Sequence, residues 1–251
     1  MTEMTRGIIN FPNFRYYKLD RDVVEIDNGE LKFIATPKNT RAIHMDILQA
    51  VFPFFKGSGD EQQHWRNAML WSWFNWIPDY FFVTSASSTH KHHPAFANRP
   101  DGLLLHSFAV CRIAASLSEL FPDMPDWKNN EIMFAAWHHD MFKYGEIEIY
   151  KPGDLTTHEH PIHAADFFRL DHVQAILNRP EFNITPAACE RIAGLIQSHS
   201  GPYRTSKFSD FKLPAPENTD QLLLHKADWF ASRKENDLVS HLMAEIPDLG
   251  Q

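Results

Sequence analysis

The chain has 251 residues, 43% of them hydrophobic and 13% aromatic, with a formal net charge of −8. That apolar mass suits one large domain, or one domain with an extension, and excludes a disordered chain, a coiled-coil rod and a disulfide-stapled miniprotein. Two cysteines without a CxxC pair, Cys111 and Cys189, exclude zinc-ribbon, iron–sulfur and thioredoxin-type readings, and the acidic balance disfavours a non-specific nucleic-acid coat.

The opening MTEMTRGIINF lacks signal-peptide architecture. Val23 to Ile26 and Leu31 to Ala35 are strand-like runs around Asn28-Gly29, so a small β-hairpin is expected there. From Thr40, Ile43, Ile47, Val51 and Phe54 recur at helical spacing, and a second helix is expected over Glu61 to Trp76. Trp71, Trp73 and Trp76 then read as N-terminal core. The most apolar stretch, 69–83, is broken by Ser72, Asn75, Pro78 and Asp79, whereas a membrane span needs roughly 20 apolar residues. No membrane partner is expected, and sparse cysteine usage suits a reducing cytoplasm.

A polar connector, TSASSTHKHHPAFANRPDG, leads into a series of helices expected near 103–120, 129–143, 159–179, 186–200 and 218–235. Proline and glycine mark the breaks, and Thr185-Pro186 is a strong helix start. The division expected is therefore an N-terminal extension, 1–84, carrying the hairpin and two helices, and a helical domain, 85–251. The fold class is mainly α.

Histidine supplies the functional signal, with 15 in the chain. Each late helix carries His or Asp on, or at the end of, its apolar stripe. The first aligns His106 with Val110, Ile113, Leu117 and Leu120. The second aligns Ile132, Ala135, Ala136 and His139, with Asp140 beside them. His160 aligns with Ala164 and Phe167, His199 with Ile192 and Ile196, and Asp228 with Gln221, Leu224 and Ala231. An apolar stripe faces the core, where such groups are costly unless paired or coordinated. One such histidine is ordinarily a hydrogen-bonded core residue. The same anomaly on five helices points instead to a shared ligand set. Imidazole and carboxylate donors without thiolate suit Mn, Fe, Zn, Ni, Co or Mg. Four imidazoles and two carboxylates can hold two divalent ions with one carboxylate bridging, an arrangement suited to displacement at phosphorus.

The order His106, His139-Asp140, His160, His199, Asp228 resembles the HD-domain phosphohydrolase superfamily. AAWHHDMFKYGE is similar to its signature segment, GLLLHSFAVCRIA to the helix of its first histidine, and EHPIHAADFF, SHSGPY and LLLHKADWFASR to its later segments. The likeness covers about residues 85–235. The upstream SASSTHKHHP followed by GLLLH is similar, more weakly, to HD domains of bacterial 3′-to-5′ exoribonucleases and conjugative relaxase-type proteins. The resemblance implies an HD-type helical core and an enzyme. His106, His139, Asp140 and Asp228 would bind one metal, His160 and His199 would complete a second site, and Asp140 would bridge. It implies hydrolysis of a phosphodiester or phosphoanhydride by a bridging hydroxide, on a nucleotide or short nucleic-acid end. Alternatives are a nucleoside mono- or triphosphate phosphohydrolase, and a non-catalytic regulatory or interaction module.

Lys143, one turn past His139, is a candidate catalytic and phosphate-binding group, or a solvated lysine at a helix end. Arg233 follows Asp228 by five residues, to reach a phosphate or to form a surface salt bridge. His92 and His93, with His90 and Lys91, are candidates for an electropositive rim or a solvated loop. Arg204, with Tyr203, Lys207 and Lys212, belongs to a basic patch beside His199, a substrate lid or a surface loop. His138 is expected to pack or support its neighbour, pointing about 100° away from His139.

Overall fold

The computed structural model describes residues 44–88, 93–99, 101–145, 156–203, 205–207 and 209–233, together with the backbone of three N-terminal strands. Those strands, β1 (Arg15–Asp20), β2 (Val23–Asp27) and β3 (Lys32–Ala35), pair antiparallel in the order β1-β2-β3. The Asn28-Gly29 turn expected between the last two lies outside the described residues. The rest is mainly helical.

Among the described residues two α-helices precede the connector. The short α1 (Met45–Gln49) is followed by a 3-10 turn, Phe52–Phe54, that contains Pro53, so among the described residues the run expected through Phe54 is α-helical only to Gln49. Helix α2 (Gly59–Asn75) starts on a capping box: Ser58 accepts from the Glu61 amide, and the Glu61 carboxylate accepts from the Ser58 amide. Its aromatic face does not form a separate core. Trp73 is fully buried, with Phe82 at 4.6 Å and Trp137 at 5.8 Å between ring centroids, and Trp76 meets Phe167 edge-on. Residues on both sides of position 84 thus share one apolar cluster. Each large side chain buried there contributes roughly 1.5–3 kcal/mol.

The later helices are α3 (Gly102–Ser118), α4 (Asp126–His138), α5 (His160–Arg169), α6 (Asp171–Leu177), α7 (Pro186–Gln197) and α8 (Thr219–Ala231). Helix α3 packs on α4 and α8, and α7 packs on α4 and α5. Thr185 caps α7 through the Ala188 amide, with Pro186 at the first position, and Asn218 caps α8 through the Gln221 amide.

Three sequence expectations need correction. Helix α4 ends at His138, not 143; the apolar pattern continues through Met141, Phe142 and Tyr144, but in i to i+3 turns closed by Gly145 at φ +84°. The helix expected over 159–179 is two, separated by extended backbone at Leu170 (ψ 130°). Leu120 is not on the buried face of α3: it is 71% exposed beyond the helix end, and Val110, Cys111, Ala114 and Ser118 form that face.

Candidate metal centre

Five segments converge at one place. His106 stands on the second turn of α3, at the seam with α8. Gly102 seats that helix: a Cβ there would lie 2.2 Å from the Ala97 carbonyl oxygen. His139 is the C-terminal cap of α4 and Asp140 begins the turns after it. His160 is the first residue of α5, and His199 follows the cap of α7. Asp228 lies in the last turn of α8. The histidines and Asp140 are buried, and the Asp228 side chain is 20% exposed.

Asp140 is the centre of the arrangement. Its Oδ2 lies 3.5 Å from His106 Nε2 and 3.4 Å from His139 Nε2. Its Oδ1 lies 2.9 Å from His160 Nε2 and 3.6 Å from His199 Nε2. Asp228 Oδ1 closes the first side, 3.0 Å from His106 Nε2 and 3.7 Å from His139 Nε2. Three overlapping groups therefore have ligand atoms within 4.8 Å of one another: His106–His139–Asp140, His139–His199–Asp228 and Asp140–His160–His199. Two ligands each about 2.1 Å from a common ion lie about 3.0–3.5 Å apart at right-angled to tetrahedral geometry, close to these spacings.

The ring orientations come from backbone carbonyls that the helix ends leave free. His139 Nδ1 donates to Ala136 O and His199 Nδ1 to Ile196 O, both at 2.7 Å; His160 Nδ1 donates to Thr157 O. A carbonyl only accepts, so each Nδ1 carries hydrogen and each Nε2 is turned to the carboxylates. His225 supports the His199 segment by donating from Nδ1 to the His199 carbonyl at 2.9 Å. Gly201, at φ +58°, makes room for it, since a Cβ there would lie 2.1 Å from the His225 ring.

Charge completes the case for a cation. Burial pushes His199 down to about 3, helped by His139, and it lowers His160 together with Lys143. Both rings are therefore neutral, with Nε2 lone pairs facing carboxylate oxygens. Burial also acts to lower His139, but Asp140 and Asp228 outweigh it and raise the ring to about 10. Burial would raise Asp140 and Asp228, yet the surrounding cations and donors hold both well below the usual carboxylate range. The Nε2 atoms of His106, His139 and His160 face the carboxylate oxygens of Asp140 and Asp228. Buried imidazole nitrogens converging on ionised carboxylates fit divalent ions.

The remaining candidates fall into distinct settings. Lys143 Nζ reaches both Asp140 oxygens, at 3.0 and 2.8 Å, and is not a solvated helix-end lysine. His93 is buried and not part of a solvated loop: its ring stands edge-on to His106 at 5.0 Å, and its Nε2 lies 3.4 Å from the Ser232 hydroxyl. Ser232 in turn lies 3.4 Å from Asp228 Oδ1. Arg233 lies over the Trp229 ring at 3.7 Å, and no carboxylate among the described residues pairs with it. His92 and Arg204 lie outside the described residues. His138 is a packed core residue: Nδ1 donates to Phe134 O at 2.7 Å, and Nε2 meets the Ser72 hydroxyl at 2.8 Å. The supporting contacts of Ser232 and His225 carry no helical period and were not legible beforehand.

Among the described residues no helix is long and apolar enough to cross a membrane. Comparison with protein-family models, curated proteins and solved structures gave no match.

Proposed function

We propose that the chain is a metal-dependent phosphohydrolase of the HD type, a phosphodiesterase acting on a nucleotide or a nucleic-acid end. One observation carries this reading: the two oxygens of Asp140 face two separate pairs of imidazole Nε2 atoms. His106, His139, Asp140 and Asp228 would hold one divalent ion, and His160, His199 and Asp140 the other; Mn, Fe, Ni, Co, Zn and Mg all suit the donor set. Such a pair supplies Lewis acidity and a hydroxide nucleophile at neutral pH.

The chain's own residues do the positioning. The carbonyls of Ala136, Thr157 and Ile196 hold three rings with Nε2 forward. The centre faces solvent where Asp228, Lys143 and His160 keep partial exposure, so a phosphate would arrive on that side. Lys143 is a cation on that side, suited to turn from Asp140 to a phosphate oxygen as charge develops. His93 and Arg233, together with His92 and Arg204, are proposed to contact substrate. A cytoplasmic enzyme is consistent with the free buried cysteines Cys111 and Cys189.

The test is hydrolysis of bis-p-nitrophenyl phosphate and p-nitrophenyl phosphate with added Mn²⁺. Diester turnover that disappears in Asp140→Ala supports the proposal. Turnover of nucleoside mono- or triphosphates with none of the diester moves the assignment to a nucleotide phosphohydrolase. A folded protein inert on all of them leaves a non-catalytic module.

A further inference from the structure

The loop that follows His199 and the helix end that follows Asp228 meet a second time, outside the centre. Tyr203 lies four residues past His199, beyond the tight turn at Gly201, and is 63% exposed. Trp229 is next to Asp228, and Arg233 is next to Ser232, whose hydroxyl touches Asp228. The Arg233 guanidinium lies 3.7 Å from the centroid of the Trp229 ring, and one of its terminal nitrogens is 3.5 Å from the Tyr203 hydroxyl. Lys226 flanks the same ring at 5.6 Å. Arg233 Nε has no hydrogen-bond partner.

We propose that Tyr203, Trp229 and Arg233 form a stacking platform for a nucleobase, so that the ester turned over at the adjoining centre is a nucleotide and not a sugar phosphate or alkyl phosphate. This inference rests on the phosphohydrolase reading. The chemistry is that of base recognition without sequence readout: aromatic and guanidinium planes stack on any base, and base–aromatic stacking contributes roughly 1–3 kcal/mol. An arginine already held against an indole loses little freedom when a base covers it. The surface is attached to the segments that carry His199 and Asp228, and Ser232, next to Arg233, touches Asp228. Arg233 and Lys226 add positive charge on a chain of net charge −8, where a nucleotide needs it.

The test titrates the full chain with adenosine 5′-monophosphate and with ribose 5-phosphate by calorimetry, in wild type and in Tyr203→Ala and Arg233→Ala. The wild type is expected to bind the nucleotide about tenfold more tightly than the sugar phosphate. Each substitution is expected to bring that ratio close to one, with ribose 5-phosphate affinity unchanged in Tyr203→Ala and lowered in Arg233→Ala, which also removes a positive charge. Equal affinity in the wild type, or a ratio that survives both substitutions, overturns the platform. Turnover of a phosphodiester without nucleotide preference would overturn the platform and leave the hydrolase reading standing. Nucleotide preference in a protein inert on every phosphate ester would uphold the platform and remove the hydrolase reading.

Discussion

Asp140 Oδ1 stands 2.9 Å from His160 Nε2, while the other nitrogen of that ring is committed to the Thr157 carbonyl. The same carboxylate presents Oδ2 to His106 and His139 on its far side. The two sides meet at that carboxylate and should separate by mutation. His160→Ala leaves the groups that include His106, His139 and Asp228 intact, whereas His199→Ala touches both sides, so elemental analysis is expected to find about one ion per chain in the first and no more than one in the second. Loss of all metal from both variants would show that the sides are not independent.

Lys143 holds both oxygens of Asp140 and so competes with cations for them. Lys143→Ala is expected to bind Mn²⁺ at least as tightly as wild type, while phosphodiester turnover falls roughly 10²–10³-fold. Metal titration and steady-state kinetics check the two halves. A variant that loses metal affinity and turnover in parallel would make Lys143 a scaffold for the ligands and not a substrate contact.

His138 ties α4 to α2 through Ser72, away from the ligand cluster. Burial pushes its pKa down to about 4, below the value of about 6.5 expected in the unfolded chain. Its neutral form is the folded one, so its contribution is complete above about pH 6.5 and is lost as pH falls toward about 4. The difference corresponds to about 3 kcal/mol at the acid end. His138→Gln is expected to flatten denaturant-measured stability between those pH values. An unchanged acid slope would exclude His138 as its source.

Glycine substitutions probe the seating of the ligands. Gly201→Ala places a Cβ against the His225 ring at positive φ, and Gly102→Ala places one against the Ala97 carbonyl; at Gly59 a Cβ meets nothing within 4 Å. Thermal melting is expected to show losses of at least about 2 kcal/mol for the first two and little change for Gly59→Ala. A Gly201→Ala protein of wild-type stability would mean that the His199 turn tolerates rearrangement.

The clustered His and Asp positions were legible because each sets a polar group on an apolar helical period: His106 with Val110, His139 with Ala135 and Ala136, Asp228 with Leu224. The stop of α4 at His138 was not, because Met141, Phe142 and Tyr144 continue the apolar pattern in tighter turns. Nor were the carbonyls of Ala136, Thr157 and Ile196, since every residue has one and only the fold selects which is used. Leu170 shows the same limit: its extended backbone interrupts a pattern that reads as continuous helix. The contact of Arg233 with Tyr203 joins two segments 30 residues apart, which no local spacing encodes. The joint core of α2 and α4 was equally hidden, because the tryptophans specify burial without specifying a partner.

The central claim is a two-ion centre bridged by Asp140. The most direct measurement is elemental analysis of the 251-residue chain after equilibration with Mn²⁺ and removal of free metal, in wild type and Asp140→Ala. The account predicts about two ions per chain in the wild type and close to none in the variant. A folded wild type that retains no metal, or an Asp140→Ala protein with undiminished metal content, would contradict it.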